Sequence, residues 1–286
     1  MWSAATNALE REPTPQPRVA ENPQLSFWPP SLECAMSRKT ARSNVTFAED
    51  GSKFVNVVES MEGCSVLLTG ATGFVGSCVL ERLLRACNVG HVVLLLRGRK
   101  GVAPEERLRD LLDGEVFTKL REEVSVDELM TRIRCVHADL GKPDLGIATE
   151  DRKAILKDGG VNYIIHSAAS IKLMEPFKKQ LQMNYGATAA LLELANEMAN
   201  MTGFLYVSTA FVNANLPPGS VCIERIQELF KPKYSTEFGT PNLPFKDHHM
   251  LVDYFLSSER TDEEADVMAH RLMKLWNFWS TYIMTK

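Results

Sequence analysis

Short apolar runs alternate with helix-like patterns along most of the chain. The runs at 65–69 and 91–96 read SVLLT and HVVLLL, which is typical of strands that are buried on both faces. Between them, apolar residues recur at the spacing of one helix face, at Val79, Leu80, Leu83, Leu84 and Cys87. The pattern predicts two parallel strands joined by a crossover helix.

The same alternation continues downstream. Apolar runs predict three more strands, at 133–138, 161–166 and 203–207. Helices are expected from Pro104, over 126–132, and over 176–198 with an interruption at Gly186. Strands that alternate with helices predict an α/β fold with a doubly wound parallel sheet. Ligands of such sheets bind at the carboxyl ends of the strands.

The two remaining stretches differ from this pattern. Residues 1–60 hold six of the 14 prolines, so we expect a flexible tail, with a helix beginning near 55–58 that covers the first strand. Residues 61–286 form the predicted domain. Within it, 213–280 is a long helical insert on the surface. Its second half should form a helix from Asp262, with one apolar face at Ala265, Met268, Leu272 and Leu275.

Composition narrows the range of partners. The chain has 286 residues, 45% of them hydrophobic and 24% charged, as in an ordinary soluble domain. The net charge of −4 does not favour a nucleic-acid partner, and no apolar run approaches the roughly 18 residues of a membrane-spanning helix. The six cysteines lack metal-ligand spacing and suit a reducing intracellular compartment. Membrane association of a longer form stays open.

Three glycines follow the first predicted strand, at Gly70, Gly73 and Gly76. In a dinucleotide-binding turn the first permits the sharp bend, the second lets the backbone approach a pyrophosphate, and the third lets the helix pack closely. The helix N-terminus then offers N–H groups to the phosphates. Strand, turn and helix stand in the required order, so we expect a dinucleotide site that includes the neighbouring residues Thr69, Thr72, Phe74 and Val75.

The end of the second strand indicates which dinucleotide binds. An NAD enzyme typically places an acid there for the ribose 2′-hydroxyl, whereas this chain has Arg97, Arg99 and Lys100, with no acid before Glu105. Arginine can grip a 2′-phosphate through two parallel hydrogen bonds. We therefore expect NADPH. The alternative is a solvated basic loop.

Tyr282 and Lys286 form the candidate catalytic pair. Residues four apart share one helix face, and Tyr282 alone among the six tyrosines has a lysine at that spacing after it. A neighbouring ammonium favours the phenolate form of a tyrosine, which makes the phenol a better proton donor to a substrate carbonyl. Thr209, or Ser208 beside it, could hold the same oxygen. The alternative is an ordinary surface pair.

These motifs resemble a known family. Thr-Gly-x-x-Gly-x-x-Gly at 69–76 resembles the extended short-chain dehydrogenase/reductases, which are Rossmann-like. Together with Leu-Leu-Arg at 95–97, Tyr-Val-Ser-Thr-Ala-Phe-Val-Asn at 206–213 and Thr-Tyr-Ile-Met-Thr-Lys at 281–286, it resembles a fatty acyl-CoA reductase over about 55–286. Trp279-Ser280 stands where that family often has Pro-Asn, and the chain stops where the family continues.

The resemblance implies roles for individual residues. NADPH would reduce a long-chain acyl-CoA thioester to the aldehyde and then the alcohol, while Thr209 and Tyr282 stabilise the oxyanion. Asn184 would hold Lys286 in place through a water molecule. Asp139 and Leu140 would contact the adenine, and the segment that contains Ala168 would run beside the nicotinamide ribose. Asp139 has an equally good interpretation as a strand-end turn, Asn184 as a helix-kink residue, and His166 is expected to be a packed residue.

Two other classes of function stay open: another extended short-chain dehydrogenase/reductase, such as a sugar-nucleotide epimerase or hydroxysteroid dehydrogenase, and a non-catalytic NADP-binding module. We also expect a C-terminally incomplete domain that catalyses poorly. A five-residue segment that carries Tyr282 should not hold itself helical, because helix nucleation is unfavourable.

Overall fold

The computed structural model describes residues 45–47, 53–98, 101–223, 243–244, 247–257 and 259–286, which all lie in one compact unit spanning 39–286. Residues 1–44 of the predicted tail lie outside this description, and their flexibility stays a prediction. Strands β1 (Val45–Phe47) and β2 (Lys53–Val55) pair antiparallel. The expected helix follows as α1 (Val57–Met61), and Met61 packs in the same apolar cluster as Val66 of the first sheet strand.

The predicted parallel sheet is confirmed. Its strands are β3 (Ser65–Thr69), β4 (His91–Leu96), β5 (Ile133–His137), β6 (Tyr163–His166) and β7 (Gly203–Tyr206), in the spatial order β5-β4-β3-β6-β7. All four pairings are parallel, and Leu67 in the central strand lies opposite Val93 and Ile164. The strand order reverses beside β3, so the crevice for a ligand opens at the carboxyl end of that strand.

Each face of the sheet has its own core because successive strand residues point to opposite faces. Val66 and Leu68 face a cluster with helices α2 (Phe74–Arg85), α3 (Pro104–Leu112), α4 (Thr118–Glu123) and α5 (Val126–Arg132). Leu67 faces a second cluster that includes Ile155 of α6 (Thr149–Leu156) and Leu191. Helices α4 and α6 were not predicted; both are short.

One long helical segment covers the second face. It consists of α7 (Phe177–Leu181), a π-helical turn at Gln182–Gly186 and α8 (Ala187–Asn196). The sequence predicted that the helix is interrupted at Gly186, whereas the structure has a π-helical turn that ends there. The chain stays helical there, with φ −59° at Gly186, and takes up one wider turn. Such turns are frequent at functional sites, and this one contains Asn184.

The insert joins a third apolar cluster. Its helices are α9 (His248–Leu256) and α10 (Asp262–Leu275), which begins at the predicted residue after a Thr261–Glu264 capping box. The short helix α11 (Thr281–Thr285) follows. Phe255, Leu272 and Trp276 pack with Phe177 of α7 and Ile283 of α11. Asp266 also accepts the backbone N–H of Phe177 at 2.7 Å.

The described helices of the insert thus share an apolar core with α7 and with the helix that carries Tyr282. Over the part of the chain that the structure describes, every helix is too short or too polar to cross a bilayer.

Candidate functional site

The glycine turn is as tight as its sequence predicts. Gly70 has a φ of +74°, and a Cβ there would lie 2.7 Å from the nitrogen of Ala168. A Cβ on Gly76 would lie 2.1 Å from the carbonyl oxygen of Gly70. Only glycine fits either position without backbone movement. The 3.3 Å contact for Gly73 is milder, so the backbone packing constrains Gly73 less than the other two.

Helix α2 begins without a side-chain cap. Its N-cap is Gly73, which has no side chain to accept the first N–H groups. Phe74 and Val75 in the first turn are 82% and 48% exposed. The first N–H groups of a 12-residue helix therefore open onto the crevice beside β3, and a pyrophosphate would satisfy them. The turn fits a dinucleotide.

Three basic residues were predicted to follow β4. Arg97 is exposed, and Arg99 and Lys100 lie outside the described residues. Arg107, which the sequence analysis missed, contacts this region from the first turn of α3. Its guanidinium donates to the carbonyl oxygen of Arg97 and, at 3.4 Å, to the hydroxyl of Thr72 in the glycine turn. Arg107 could have been found from its place near the start of the helix that follows β4, because that helix begins at the ligand edge.

The ends of β3 and β6 meet at a buried hydrogen-bonded group. The hydroxyl of Thr69 lies 2.7 Å from Nδ1 of His166 and accepts the N–H of Ala168 at 3.2 Å. Burial, reinforced by the nearby charge of Lys286, lowers the pKa of His166 to about 4. His166 is therefore neutral at ordinary pH and fits the expected packing role. Its Nε2 has no hydrogen-bond partner among the described residues.

Asp139 forms the strand-end turn that was one of its two interpretations. Its carboxylate accepts the N–H of Gly141 at 3.2 Å, and its own N–H donates to Leu145 at 2.8 Å. Asp139 and Leu140 are half-buried at the ligand edge of β5. Their contact with an adenine stays a prediction.

Lys286 lies at the end of β7. Its ammonium donates to the carbonyl oxygen of Val207 at 2.8 Å and sits 4.2 Å from the ring centre of Tyr206. Burial lowers the pKa of Lys286 to about 8. The backbone N–H of Lys286 donates to the carbonyl oxygen of Tyr282 at 3.2 Å, so the two residues are one helical turn apart, as predicted.

The expectation that the Tyr282 segment would not be helical is wrong. Residues 281–285 form α11, which Ser280 caps at the N–H of Ile283. The helix forms because tertiary contacts replace the missing length. Thr281, Ile283 and Thr285 are 2%, 3% and 6% exposed.

Asn184 contacts the same short helix. It is 1% exposed, and its amide nitrogen donates to the Thr285 hydroxyl at 3.0 Å. Its amide oxygen accepts the N–H of Ser170 at 2.8 Å. The described contact is thus with the residue before Lys286. The π-helical turn places Asn184 between the end of β6 and the Tyr282 helix.

Thr209 and Ser208 follow β7 at the same edge. Thr209 is half-buried and caps the turn Ala210–Asn213, where its oxygen accepts the N–H of Phe211 at 3.3 Å. The hydroxyl proton of Thr209 remains available as a donor. Ser208 is exposed. Helix α11 packs against the turn that Thr209 caps.

A glycine turn at a parallel-sheet switch point, followed by an open helix N-terminus, defines an NAD(P)-binding domain. The family model described as Male sterility protein, named NAD_binding_4, matches residues 68–286. The chain belongs to this family.

Individual proteins are similar to part of the chain. Fatty acyl-CoA reductase 1 from Pongo abelii and that from Homo sapiens are each 38% identical over 162 residues, covering 56% of this chain and 31% of the relative. The chain thus spans about a third of the length of these relatives. Among solved structures, the terminal R domain of the myxalamid PKS-NRPS pathway is 26% identical, with a TM-score of 0.43, covering 53% of this chain and 36% of that one.

Proposed function

We propose that the protein uses NADPH to reduce long-chain fatty acyl-CoA to the fatty alcohol by way of the aldehyde, with release of CoA. The observation that carries the proposal is the position of the Tyr282–Lys286 helix. Its lysine reaches the carbonyl of Val207, two residues before Thr209, at the sheet edge where the glycine turn opens. Family membership supports the substrate class.

The cofactor would be held by the open N-terminus of α2 and by Arg97 and Arg107 at the 2′-phosphate. When bound, NADPH supplies the hydride that reduces the acyl carbon. Ala168 and Thr69 form the floor beside the glycine turn, where a Cβ on Gly70 would already collide. The small side chain of Ala168 would let a flat ring lie close to the backbone at the end of β6.

Side chains of the protein donate hydrogen bonds to the carbonyl oxygen of the substrate. The phenol of Tyr282 and the hydroxyl of Thr209 donate to the carbonyl oxygen, and Ser208 is the adjacent alternative. These donors stabilise the negative charge that develops on that oxygen, which is commonly a large part of catalysis. Lys286, one helical turn from Tyr282, brings a positive charge to the same short helix. Collapse of the tetrahedral adduct breaks the C–S bond and releases the aldehyde, and the CoA thiolate leaves with a proton from solvent. Reduction of the aldehyde to the alcohol takes a second hydride, from a second NADPH, and a second proton.

Apolar surface around the site supports an acyl substrate. Phe211, two residues after Thr209, and Trp279, three residues before Tyr282, are 55% and 52% exposed and pack edge to face with ring centres 6.3 Å apart. A cavity of about 120 Å³ adjoins α11 and is lined mainly by apolar side chains, among them Phe177, Leu181, Leu251, Trp276 and Met284. Contiguous exposed apolar surface marks binding sites.

The test is to incubate a full-length form of the protein with NADPH and palmitoyl-CoA and to measure NADPH oxidation, free thiol and fatty alcohol. We expect thiol release and alcohol formation that depend on NADPH. Tyr282→Phe should retain NADPH binding and lose about 10²–10⁴-fold in turnover. Tyr163→Phe is the matched control, since its hydroxyl contacts the Ser60 carbonyl away from the site. NADPH binding without thiol release from any acyl-CoA would contradict the proposal.

A further inference from the structure

Two buried polar contacts tie the Tyr282 helix to the long helix beneath it. Gln180 and Asn184 are one turn apart on that helix, and Thr281 and Thr285 are one turn apart on α11. Gln180 contacts Thr281, and Asn184 contacts Thr285. Since residues four apart share a helix face, the two contacts form two rungs between facing surfaces.

The Gln180 rung is fully enclosed. Gln180 is 0% exposed and Thr281 is 2% exposed. The Gln180 amide nitrogen donates to the carbonyl oxygens of Ser170 and Lys172 at 3.1 and 2.8 Å. These two carbonyls fix the orientation of the amide, because a flipped amide would place its oxygen against two acceptors. The amide oxygen must then face the Thr281 hydroxyl.

The Thr281 hydroxyl lies among three acceptors. Besides the Gln180 amide oxygen, the carbonyl oxygens of Leu173 and Glu175 are each 3.1 Å away. A hydroxyl has a single proton to donate, so Thr281 donates to one of these three oxygens at a time or shares its proton among them. In each case the start of α11 is held to the loop 170–175 or to Gln180, which itself donates to that loop.

We propose that Gln180 and Thr281 are positioning residues of the reduction, which set the place of the Tyr282 phenol; this inference rests on the proposed function. Tyr282 directly follows Thr281, so the rung fixes the backbone from which the phenol extends. Helix α11 has five residues and cannot be stable by its own backbone bonds. Its position therefore depends on contacts at each end, and the Asn184 rung supplies only the end near Lys286.

The matched variants are Thr281→Val, which removes the hydroxyl at nearly constant shape, and Thr281→Ser, which keeps it. Gln180→Met removes the partner. We expect Thr281→Val and Gln180→Met to lower kcat about 10- to 100-fold, since small displacements of reacting groups have effects of that size. The KM for acyl-CoA and the Kd for NADPH, measured by fluorescence, should stay within about twofold of the wild-type values. Thr281→Ser should retain most of the turnover.

A second readout does not depend on turnover. Hydrogen exchange at the amides of 282–286 should be at least about tenfold faster in Thr281→Val, because local opening follows loss of local contacts. Thr131→Val, which removes a hydroxyl bonded to Glu128 within α5, should leave these amides unchanged. If the wild-type protein does not turn over acyl-CoA, the proposed function fails while exchange still tests the rung. Unchanged exchange, wild-type kcat in either variant, or equal losses in Thr281→Ser would overturn the inference.

Discussion

Arg107 and Arg97 are the residues from which cofactor choice can be tested most directly. Arg107 bridges the Arg97 carbonyl and the Thr72 hydroxyl, so its guanidinium lies between the end of β4 and the glycine turn, where we propose that the 2′-phosphate binds. A lost hydrogen bond to a charged group costs about 1.5–3 kcal/mol, or roughly 10- to 100-fold in Kd. Arg97→Ala and Arg107→Ala should weaken NADPH binding by that factor and leave NADH nearly unchanged, as measured by fluorescence titration.

The matched control is Arg109→Ala on the same helix, where the guanidinium pairs with Asp127 at 2.9 Å on the surface. It should bind both cofactors as the wild type does. Equal weakening of NADH and NADPH by Arg97→Ala and Arg107→Ala would place the 2′-phosphate elsewhere.

Lys286 gives the site a pH dependence with a definite sign. Burial lowers its pKa to about 8, so the ammonium is present below that pH and is lost as the pH rises through it. The proposed role needs the ammonium. We therefore expect kcat/KM, which reports the free enzyme, to fall about tenfold per pH unit above pH 8.

His166 does not add an acid limb above about pH 5, because its pKa is about 4. The measurement is a pH–rate profile between pH 6 and 10. Lys286→Met should lose most of the activity and lack the alkaline limb. A flat profile to pH 10 in the wild-type protein would contradict a role for the lysine charge.

At the scale of elements, the sequence predicted what depends on local pattern. The five strands and the helices at 74–85, 104–112 and 126–132 follow from apolar periodicity, and the glycine turn follows from steric needs that only glycine meets. The helical conformation of residues 281–285 could not be predicted in this way. Propensity argues against a five-residue helix, and tertiary contacts, among them those with the distant residues Gln180 and Asn184, reverse that outcome.

Arg107 and the π-helical turn were missed for a related reason. Arg107 contributes through the crossing of α3 over the end of β4, which is a three-dimensional relation. The wide turn at Gln182–Gly186 has no local sequence signal beyond a glycine, and Gly186 itself keeps ordinary helical angles. Tertiary contacts decide such features, so local pattern cannot supply them.

The capping box of α10 offers a test of how the insert stabilises the domain. The Thr261 hydroxyl accepts the N–H of Glu264 at 3.2 Å, and the Glu264 carboxylate accepts the N–H of Thr261 at 3.0 Å. Thr261→Ala should lower the free energy of unfolding by about 0.5–2 kcal/mol. In urea the midpoint should fall without a change in slope. Thr261→Ser retains the cap and should be close to neutral; an equal loss in both variants would locate the effect elsewhere.

At the scale of the whole molecule, cofactor binding should stabilise the fold, because the site is assembled from distant parts of one sheet. The glycine turn, the end of β6 and Arg107 come together only in the folded chain. A ligand that binds only the folded state stabilises it by about 2.7 kcal/mol at 100 times its Kd. For a domain of this size, such a gain raises Tm by roughly 5–10 °C.

We expect NADPH to raise Tm by that amount and NADH, at the same concentration, to raise it far less, as measured by thermal shift. Arg107→Ala should remove most of the difference between the two cofactors, whereas Arg109→Ala should preserve it. Because the two arginines lie on one helix and both are surface-accessible, a general effect of lost charge would change both variants alike. Equal shifts with NADPH and NADH in the wild-type protein would mean that the 2′-phosphate makes no net contact, and the cofactor proposal would have to be withdrawn.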